Sequence, residues 1–254
     1  MRFYRGPEKS ADEDNPYWMS FYDVMSALLI IFILASVVLI VQLMEIQEEL
    51  RKRQQEFDQE TAVLRKAEGV RKTILHEAAS LLQQRGIKVT VSMNDTVLSI
   101  PNEILGFDTG DFVIGEQYQS TAQEIGEVIS KVIRKGDRVD YLDTIFIEGH
   151  TDNRPLHGFM GKGNWGLSAF RAISLWQFWN KSLPQEHKLN DLLNKEEQPL
   201  FSVSGYAETR PAREIQETAE DYRVNRRIDI RFTIRRPSSA EYEEIKERLG
   251  EGLQ

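Results

Sequence analysis

Several functional groups are scarce in this 254-residue sequence, which contains no cysteine and only four histidines. The lack of cysteine excludes a disulfide framework and a thiolate zinc site. Acidic residues outnumber basic ones by 40 to 32, and the net charge of −8 disfavours nucleic acid as a partner. No nucleophile is paired with a base in a pattern typical of covalent catalysis. We therefore expect neither an enzyme nor a bound cofactor.

The start of the chain also lacks the features of a cleaved signal peptide. The tail is acidic around residues 12–14, the apolar run Val24–Val41 is long and uncharged, and no A-x-A cleavage site follows it. A run of this length can cross a bilayer as one helix. The sequence predicts a short tail over residues 1–16 and a single uncleaved transmembrane helix over residues 17–44.

An ionisable residue, Asp23, stands at the head of the apolar run. A charged side chain in or beside a membrane helix is costly, and such residues usually mark an ion path or a proton relay. The sequence therefore predicts an ion-translocating role for Asp23, with H⁺ or Na⁺ as the transported ion. The alternative is that Asp23 lies in the membrane interface, because it is close to the end of the span.

Residues 45–86 are predicted to form a helical linker, since no proline and only one glycine precede Gly86 in this segment. Apolar residues recur at heptad spacing, which indicates a parallel two-stranded coiled coil and hence a homodimer, most clearly over residues 43–64. The distal half is equally compatible with a single amphipathic helix that lies on the folded domain. The two apolar rows are Leu43, Leu50, Phe57, Leu64 and Ala78, and Ile46, Ala67, Ile74 and Leu81.

Short strands and helices alternate over residues 87–236, followed by a charged terminal helix or tail over residues 237–254. This order predicts an α+β sandwich with helices on one face of a mixed sheet. In the last strand, alternation directs the isoleucines inward and Arg227, Asp229 and Arg231 outward. The predicted strands cover residues 89–93, 96–100, 143–148, 200–204 and 226–234, and the predicted helices cover residues 116–134 and 167–179.

Three segments of this region are rich in polar residues: Ile147–Asn153, Asn164–Ala172 and Asn225–Ile230. Strand ends and helix starts gather at one edge of such a sheet, so we expect these segments to meet. There Asp152 is suited to an ammonium group, and the guanidinium groups of Arg171 and Arg227 match carboxylates bidentately. The predicted ligand carries both an amine and a carboxylate, like the amino-acid end of a peptide.

Simpler interpretations exist for each of these residues. Asp152 would then only cap a turn, and Arg171 would only line a solvated helix face. A metal site built from Glu148, His150 and Asp152 is a further alternative, because these residues share one strand face. No second histidine cluster accompanies them, so we do not predict a metal site.

The motifs G-H-T-D, N-W-G-L-S-A-F-R-A and N-R-R-I-D-I resemble, in their order, those of the OmpA-like peptidoglycan-binding family. The segments Phe107–Gly110 and Ser204–Pro211 resemble two of its loops. The resemblance implies that Asp152 and Arg171 hold the diaminopimelate side chain of the wall peptide. It places three further residues around that side chain, Asn164, Leu167 and Arg227. This sequence departs from the family by an H-G-F-M-G-K-G insertion and by Gly-Tyr-Ala in place of Gly-Tyr-Gly.

The segment Phe21–Ala27, F-Y-D-V-M-S-A, is similar to the membrane helix of the MotB family. That resemblance implies a single-pass protein of the bacterial inner membrane, with a cytoplasmic N-terminus and a periplasmic wall-binding domain. It also implies a multi-span MotA-like or ZorA-like partner, with five such subunits around two copies of this chain.

Among MotB-like families, this sequence most resembles the ZorB subunits of Zorya anti-phage systems. Flagellar members carry an irregular linker before the wall-binding domain, whereas no proline occurs here between Tyr17 and Ile100. The alternatives are a flagellar stator subunit and a passive envelope tether without ion flow.

Overall fold

The structure, a computed structural model, describes residues 16–108, 110–158 and 161–236. The chain divides into two compact units, one ending at Gln59 and the other beginning at Glu60. The predicted N-terminal tail up to residue 15 and the predicted C-terminal helix within residues 237–254 lie outside the described residues.

The first element, helix α1, spans Pro16–Gln84. It ends in a Schellman motif, in which the Ile87 N–H donates to the Leu82 carbonyl at 2.9 Å and the Gly86 N–H donates to the Gln83 carbonyl at 3.0 Å. This motif needs a left-handed residue, and Gly86 supplies it with φ of 78°. Gly86 therefore ends the helix, as the sequence predicts, because glycine adopts this left-handed conformation without strain.

Within the first unit, α1 carries the apolar segment of the chain. Among the described residues there is one helix that is long and apolar enough to cross a membrane, and the candidate span lies within Ser20–Gln55. A helix suits a bilayer because it satisfies its own backbone hydrogen bonds. Near its polar end, Glu48 pairs with Lys52 at 3.2 Å and Glu49 with Arg53 at 2.5 Å, one helical turn apart.

The last turns of α1 belong to the core of the second unit. Ala67, Ile74, Leu75, Ala78 and Leu82 are all buried there, at the three- and four-residue spacing of an amphipathic face. Of the two interpretations of the distal linker, a helix lying on the folded domain is therefore the correct one for this part. The coiled coil over residues 43–64 stays a prediction.

The second unit is built on a five-stranded mixed sheet of order β1-β2-β5-β3-β4. The β3–β4 pair is parallel, and the other pairs are antiparallel. The predicted mixed sheet is thus confirmed, although β3 is longer than expected. The strands are β1 (Thr90–Val91), β2 (Val97–Pro101), β3 (Leu142–His150), β4 (Phe201–Gly205) and β5 (Arg227–Ile234).

The remaining helices are α2 (Asn102–Leu105), α3 (Glu116–Ile133), α4 (Gly163–Ser182) and α5 (Ala219–Asn225), with short 3₁₀ turns at Arg138–Tyr141 and Gln185–His187. Helices α3 and α4 confirm the two predicted ones, but α4 begins four residues earlier than expected. Helices α2 and α5 are not among the helices that the sequence predicts. Helix α5 starts with a capping box between Thr218 and Asp221, which is a recognisable sequence signal.

One face of the sheet packs against the helices, and the other face is polar. Ile228, Ile230 and Phe232 of β5 are buried in the core, as the alternation predicts. Asp229 is predicted to point outward and does lie on the polar face, but it is also buried there. Asp229 lies 3.2 Å from His150, whose ring stacks on Tyr206. Tyr206, which follows β4, therefore packs against the polar face beside Asp229.

Helix α4 approaches β3 and β4 closely because each strand has a glycine at the point of contact. A Cβ atom added to Gly149 would lie 1.9 Å from the Ser168 carbonyl oxygen, and one added to Gly205 would lie 2.5 Å from the Ala169 nitrogen. The Ser168 hydroxyl also accepts a hydrogen bond from the Ala207 N–H at 3.0 Å. These contacts hold the start of α4 against the ends of both strands.

Candidate functional site

A pocket of about 170 Å³ opens where β3 ends, α4 begins and β5 begins. Its walls combine charged side chains with a few apolar ones. The polar residues are Thr151, Asp152, Arg154, Asn164, Arg171 and Arg226, and the apolar ones include Leu156 and Leu167. The segments that the sequence predicted to meet at one sheet edge therefore do meet there.

Asp152 is 5% exposed, and its carboxylate accepts hydrogen bonds from two arginines. The Arg154 guanidinium donates to both carboxylate oxygens, at 3.0 and 2.7 Å, and Arg226 donates to Oδ2 at 2.7 Å. Burial alone raises the pKa of the Asp152 carboxyl, but the hydrogen bonds from Arg154 and Arg226 outweigh it and the pKa is lowered. The pocket therefore contains a stable anion at neutral pH.

Arg171 lies on α4 and is only 1% exposed. Its Nε donates to the Asp111 carbonyl at 2.8 Å and its Nη2 donates to the Asp108 carbonyl at 2.9 Å. Its Nη1 is buried and has no hydrogen-bond partner among the described residues. Burial, together with the charge of Arg226, lowers the pKa of Arg171 to about 10, so the guanidinium remains protonated at neutral pH.

Thr151 offers a second unsatisfied group in the same pocket. Its hydroxyl oxygen is buried and, within the described part of the chain, makes no hydrogen bond. A buried polar group without a partner is costly, and native structures rarely tolerate one without a reason. The Thr151 hydroxyl and the Arg171 Nη1 thus both favour a polar ligand in this pocket.

Asn164 and Leu167 line the same pocket from the start of α4. The Asn164 side-chain nitrogen donates to the carbonyl of Arg154 at 3.1 Å and approaches that of Asp152 at 3.4 Å. Asn164 therefore fixes the loop after β3 against α4. Leu167 is buried and supplies an apolar wall.

The structure brings four of the five predicted wall-binding residues together, and Arg227 is not among them. Arg227 points to the polar sheet face, where its Nε lies 3.0 Å from Asp229 Oδ2 and its Nη2 donates to the Arg210 carbonyl. Its neighbour Arg226, just before β5, lines the pocket instead. Sequence reasoning also missed Arg154, whose position two residues after Asp152 carries no distinctive signal.

The pocket has an excess of positive charge. Three arginines, Arg154, Arg171 and Arg226, surround the one carboxylate of Asp152. Guanidinium groups in a partly desolvated site bind carboxylates strongly, by charge-assisted hydrogen bonds. The pocket is therefore suited to a ligand with at least one carboxylate.

A separate cluster on the polar sheet face contains Glu148, His150 and Asp229, whose ligand atoms lie within 4.8 Å of one another. Asp152, which the sequence grouped with the first two residues, is not part of it. Arg231 binds both Glu148 oxygens, at 2.7 and 2.9 Å, and Arg227 binds Asp229. Because each carboxylate already has an arginine partner, we interpret this cluster as a structural ion-pair network rather than a metal site.

Sequence comparison relates the chain to MotB-like proteins, although no protein-family model matches it. The uncharacterized protein YtxE of Bacillus subtilis (strain 168) is 22% identical over 249 residues, which cover 90% of this chain and 93% of that protein. Motility protein B of the same strain is 26% identical over 159 residues. That match covers 63% of this chain and spans only 49% of the relative.

Among solved structures, the periplasmic domain of Helicobacter pylori MotB matches with 19% identity and a TM-score of 0.42. The match covers 65% of this chain and 98% of that domain. In sequence, the chain is similar to a protein that is named for motility. This agrees with the prediction that the protein is not an enzyme.

Proposed function

We propose that this protein is a MotB-like, stator-type membrane subunit whose C-terminal domain binds the peptide of peptidoglycan. One observation carries the binding proposal: the buried Arg171 guanidinium has an unsatisfied Nη1 in a pocket that also contains Asp152. An unsatisfied buried donor beside a buried anion suits a ligand that carries both a carboxylate and an ammonium group.

The end of a diaminopimelate side chain has this chemistry. Its carboxylate would accept from Arg171 Nη1 and the Thr151 hydroxyl, which together supply donors without partners of their own. Its ammonium would lie near Asp152, and its methylene chain would pack on Leu167. Residue Arg226 takes the place that the family resemblance assigns to Arg227.

Binding to purified sacculi tests this proposal. Full-length protein in detergent is expected to sediment with sacculi, and Arg171→Ala is expected to remain in the supernatant. Because Arg171 also holds the backbone at Asp108 and Asp111, Thr151→Val provides a second variant. It removes an unpartnered hydroxyl while keeping the shape of the side chain, so its thermal stability should not fall although its sedimentation does. Unchanged sedimentation of both variants would reject the site.

We further propose that Asp23 translocates H⁺ or Na⁺ in a complex with a multi-span MotA-like or ZorA-like partner. Two copies of this chain would pair through residues 43–64, inside five partner subunits. The N-terminus would be cytoplasmic and the domain periplasmic. Each charge that crosses the membrane releases about 2.3 kcal/mol per 100 mV, which would drive rotation against a wall-anchored pair. Asp23→Asn should abolish ion flux without preventing assembly, and retained flux would reject the role of Asp23.

We propose that this motor acts in anti-phage defence of the Zorya type. This role is supported by the sequence between the apolar segment and the domain, which has no proline between Tyr17 and Ile100 and so lacks the irregular linker of flagellar members. A flagellar stator remains the second candidate, favoured by the match to Motility protein B. Phage plating on cells with the native operon distinguishes them: protection that is lost with Asp23→Asn supports defence, whereas a swimming defect in that variant supports motility. A passive tether would tolerate the substitution in both assays.

A further inference from the structure

Arg154 donates more hydrogen bonds to the Asp152 carboxylate than any other residue described around the pocket. Its Nε and Nη2 donate to the two carboxylate oxygens at 3.0 and 2.7 Å, and its own backbone N–H donates to Oδ1 at 3.1 Å. Arg226 makes one further contact, to Oδ2 at 2.7 Å. The side chain of Arg154 therefore covers the carboxylate that the proposed function assigns to an ammonium group of the ligand.

We infer that Arg154 is a specificity-determining competitor: its guanidinium occupies the ammonium subsite on Asp152 and must be displaced when an amine-bearing ligand binds. This inference rests on the proposed function of the pocket. It assigns Arg154 a role opposite to that of Arg171, because Arg171 would attract the ligand and Arg154 would oppose its amine.

The two arginines that bind Asp152 differ in how easily they can leave. The Arg154 side chain is 48% exposed, whereas that of Arg226 is 21% exposed. The Arg154 guanidinium also lies over the Tyr222 ring, with 4.6 Å from Cζ to the ring centroid. This cation–π contact is made while the guanidinium is bound to Asp152, so the greater exposure of Arg154 is what makes it the easier of the two arginines to displace.

Displacement of Arg154 would leave the Asp152 carboxylate well oriented. The backbone N–H of Arg154 holds Oδ1, and Arg226 holds Oδ2, and neither contact depends on the Arg154 side chain. An incoming ammonium would therefore replace one cation by another at a preformed anion. A ligand without an amine has no such exchange to make, so Arg154 would lower the affinity advantage that an ammonium group gives a ligand over a plain dicarboxylate.

The test compares two ligands of equal carbon chain, meso-diaminopimelate and pimelate, which has both carboxylates but no amine. Calorimetric titration of the full chain with Arg154→Gln should show binding of meso-diaminopimelate that is tighter than wild type by about two- to fivefold. The same variant should bind pimelate no more tightly than wild type, because an uncovered Asp152 repels it.

Arg213→Gln is the matched control. Arg213 also forms an exposed arginine–aspartate pair, with Asp221 at 2.8 Å and a side chain 52% exposed, but it does not line the pocket. Its substitution should leave both affinities unchanged.

Unchanged or weaker binding of meso-diaminopimelate by Arg154→Gln would overturn the inference. Equal tightening for both ligands would also overturn it, since the side chain would then only obstruct the pocket. Sedimentation with sacculi separates this failure from that of the proposed function. If wild type still sediments in an Arg171-dependent way, the wall-binding site stands and only the role of Arg154 is wrong.

Discussion

Arg226 donates to the Asp152 carboxylate at 2.7 Å across a separation of 74 residues in sequence. This contact joins the start of β5 to the loop that follows β3, and it places a second cation in the pocket. The adjacent Arg227 has its side chain on the polar sheet face, where it pairs with the buried Asp229. Two consecutive arginines therefore have different tasks, one in the pocket and one in the sheet.

The first prediction separates these tasks. Arg226→Ala should weaken sedimentation with sacculi but cost less stability than Arg227→Ala, because Arg154 still pairs with both oxygens of Asp152. Arg227→Ala should leave sedimentation intact. Arg227→Ala should lower the free energy of unfolding by about 1–3 kcal/mol, because it removes a charged partner from buried Asp229. Thermal denaturation and sacculus binding of both variants check this. The reverse pattern would return Arg227 to the binding site.

A second prediction concerns the close approach of α4 to β3. Gly149→Ala would place a methyl group 1.9 Å from the Ser168 carbonyl oxygen, so α4 must shift. We expect a loss of stability of about 1–3 kcal/mol or more, together with weaker wall binding, because α4 carries Arg171. Gly69→Ala in α1 is the control: no atom lies within 4 Å of its added Cβ, and alanine should stabilise the helix by about 1 kcal/mol. Equal thermal stability of Gly149→Ala and wild type would contradict the packing.

A third prediction follows from Ala207, which has a φ of 48°. The left-handed region costs an L-residue roughly 1–2 kcal/mol, whereas glycine adopts it freely. Ala207→Gly should therefore raise the thermal unfolding midpoint, with part of the gain offset by the greater entropy of glycine in the unfolded chain. A lower midpoint would show that the Ala207 methyl group contributes more by packing than the backbone strain costs.

The fourth prediction concerns acid stability. Glu77 accepts hydrogen bonds from Arg138 at 2.6 Å and from Lys135 at 3.1 Å. These contacts, that of Arg138 first, lower the pKa of Glu77 below its ordinary value of 4.5. A lowered pKa in the folded state contributes stability that is present above pH 4.5 and is lost as the pH falls through the folded value. The difference in unfolding midpoint between wild type and Glu77→Gln should thus shrink between pH 5 and about pH 3. A midpoint difference that stays constant over this pH range would contradict the proposed contribution of Glu77 to stability.

Sequence patterns predicted the larger elements and four of the residues that line the pocket, for physical reasons. Helix α3 has strong amphipathic spacing, and the strand ends next to Asp152 and Arg226 meet because of the sheet topology. The pattern did not distinguish Arg226 from Arg227, since that choice depends on where β5 begins. Nor did it predict a buried Asp229, because alternation reports only which residues share a face and not what covers that face.

The distal part of α1 shows the same limit. Heptad spacing and the spacing of a helix packed on a domain are nearly identical, so Ile74 and Ala78 fit both interpretations. Arg154 was missed because its role arises from side-chain geometry around Asp152 rather than from a motif.

The central claim is that the pocket recognises the carboxylate of a diaminopimelate side chain through Arg171. The most direct measurement compares the affinities of the full-length protein for two wall tripeptides, one ending in meso-diaminopimelate and one ending in lysine. The two residues present the same ammonium group and differ by the terminal carboxylate. We predict that the lysine peptide binds at least about tenfold more weakly, since it forfeits charge-assisted hydrogen bonds. Equal affinity for the two peptides would contradict the account.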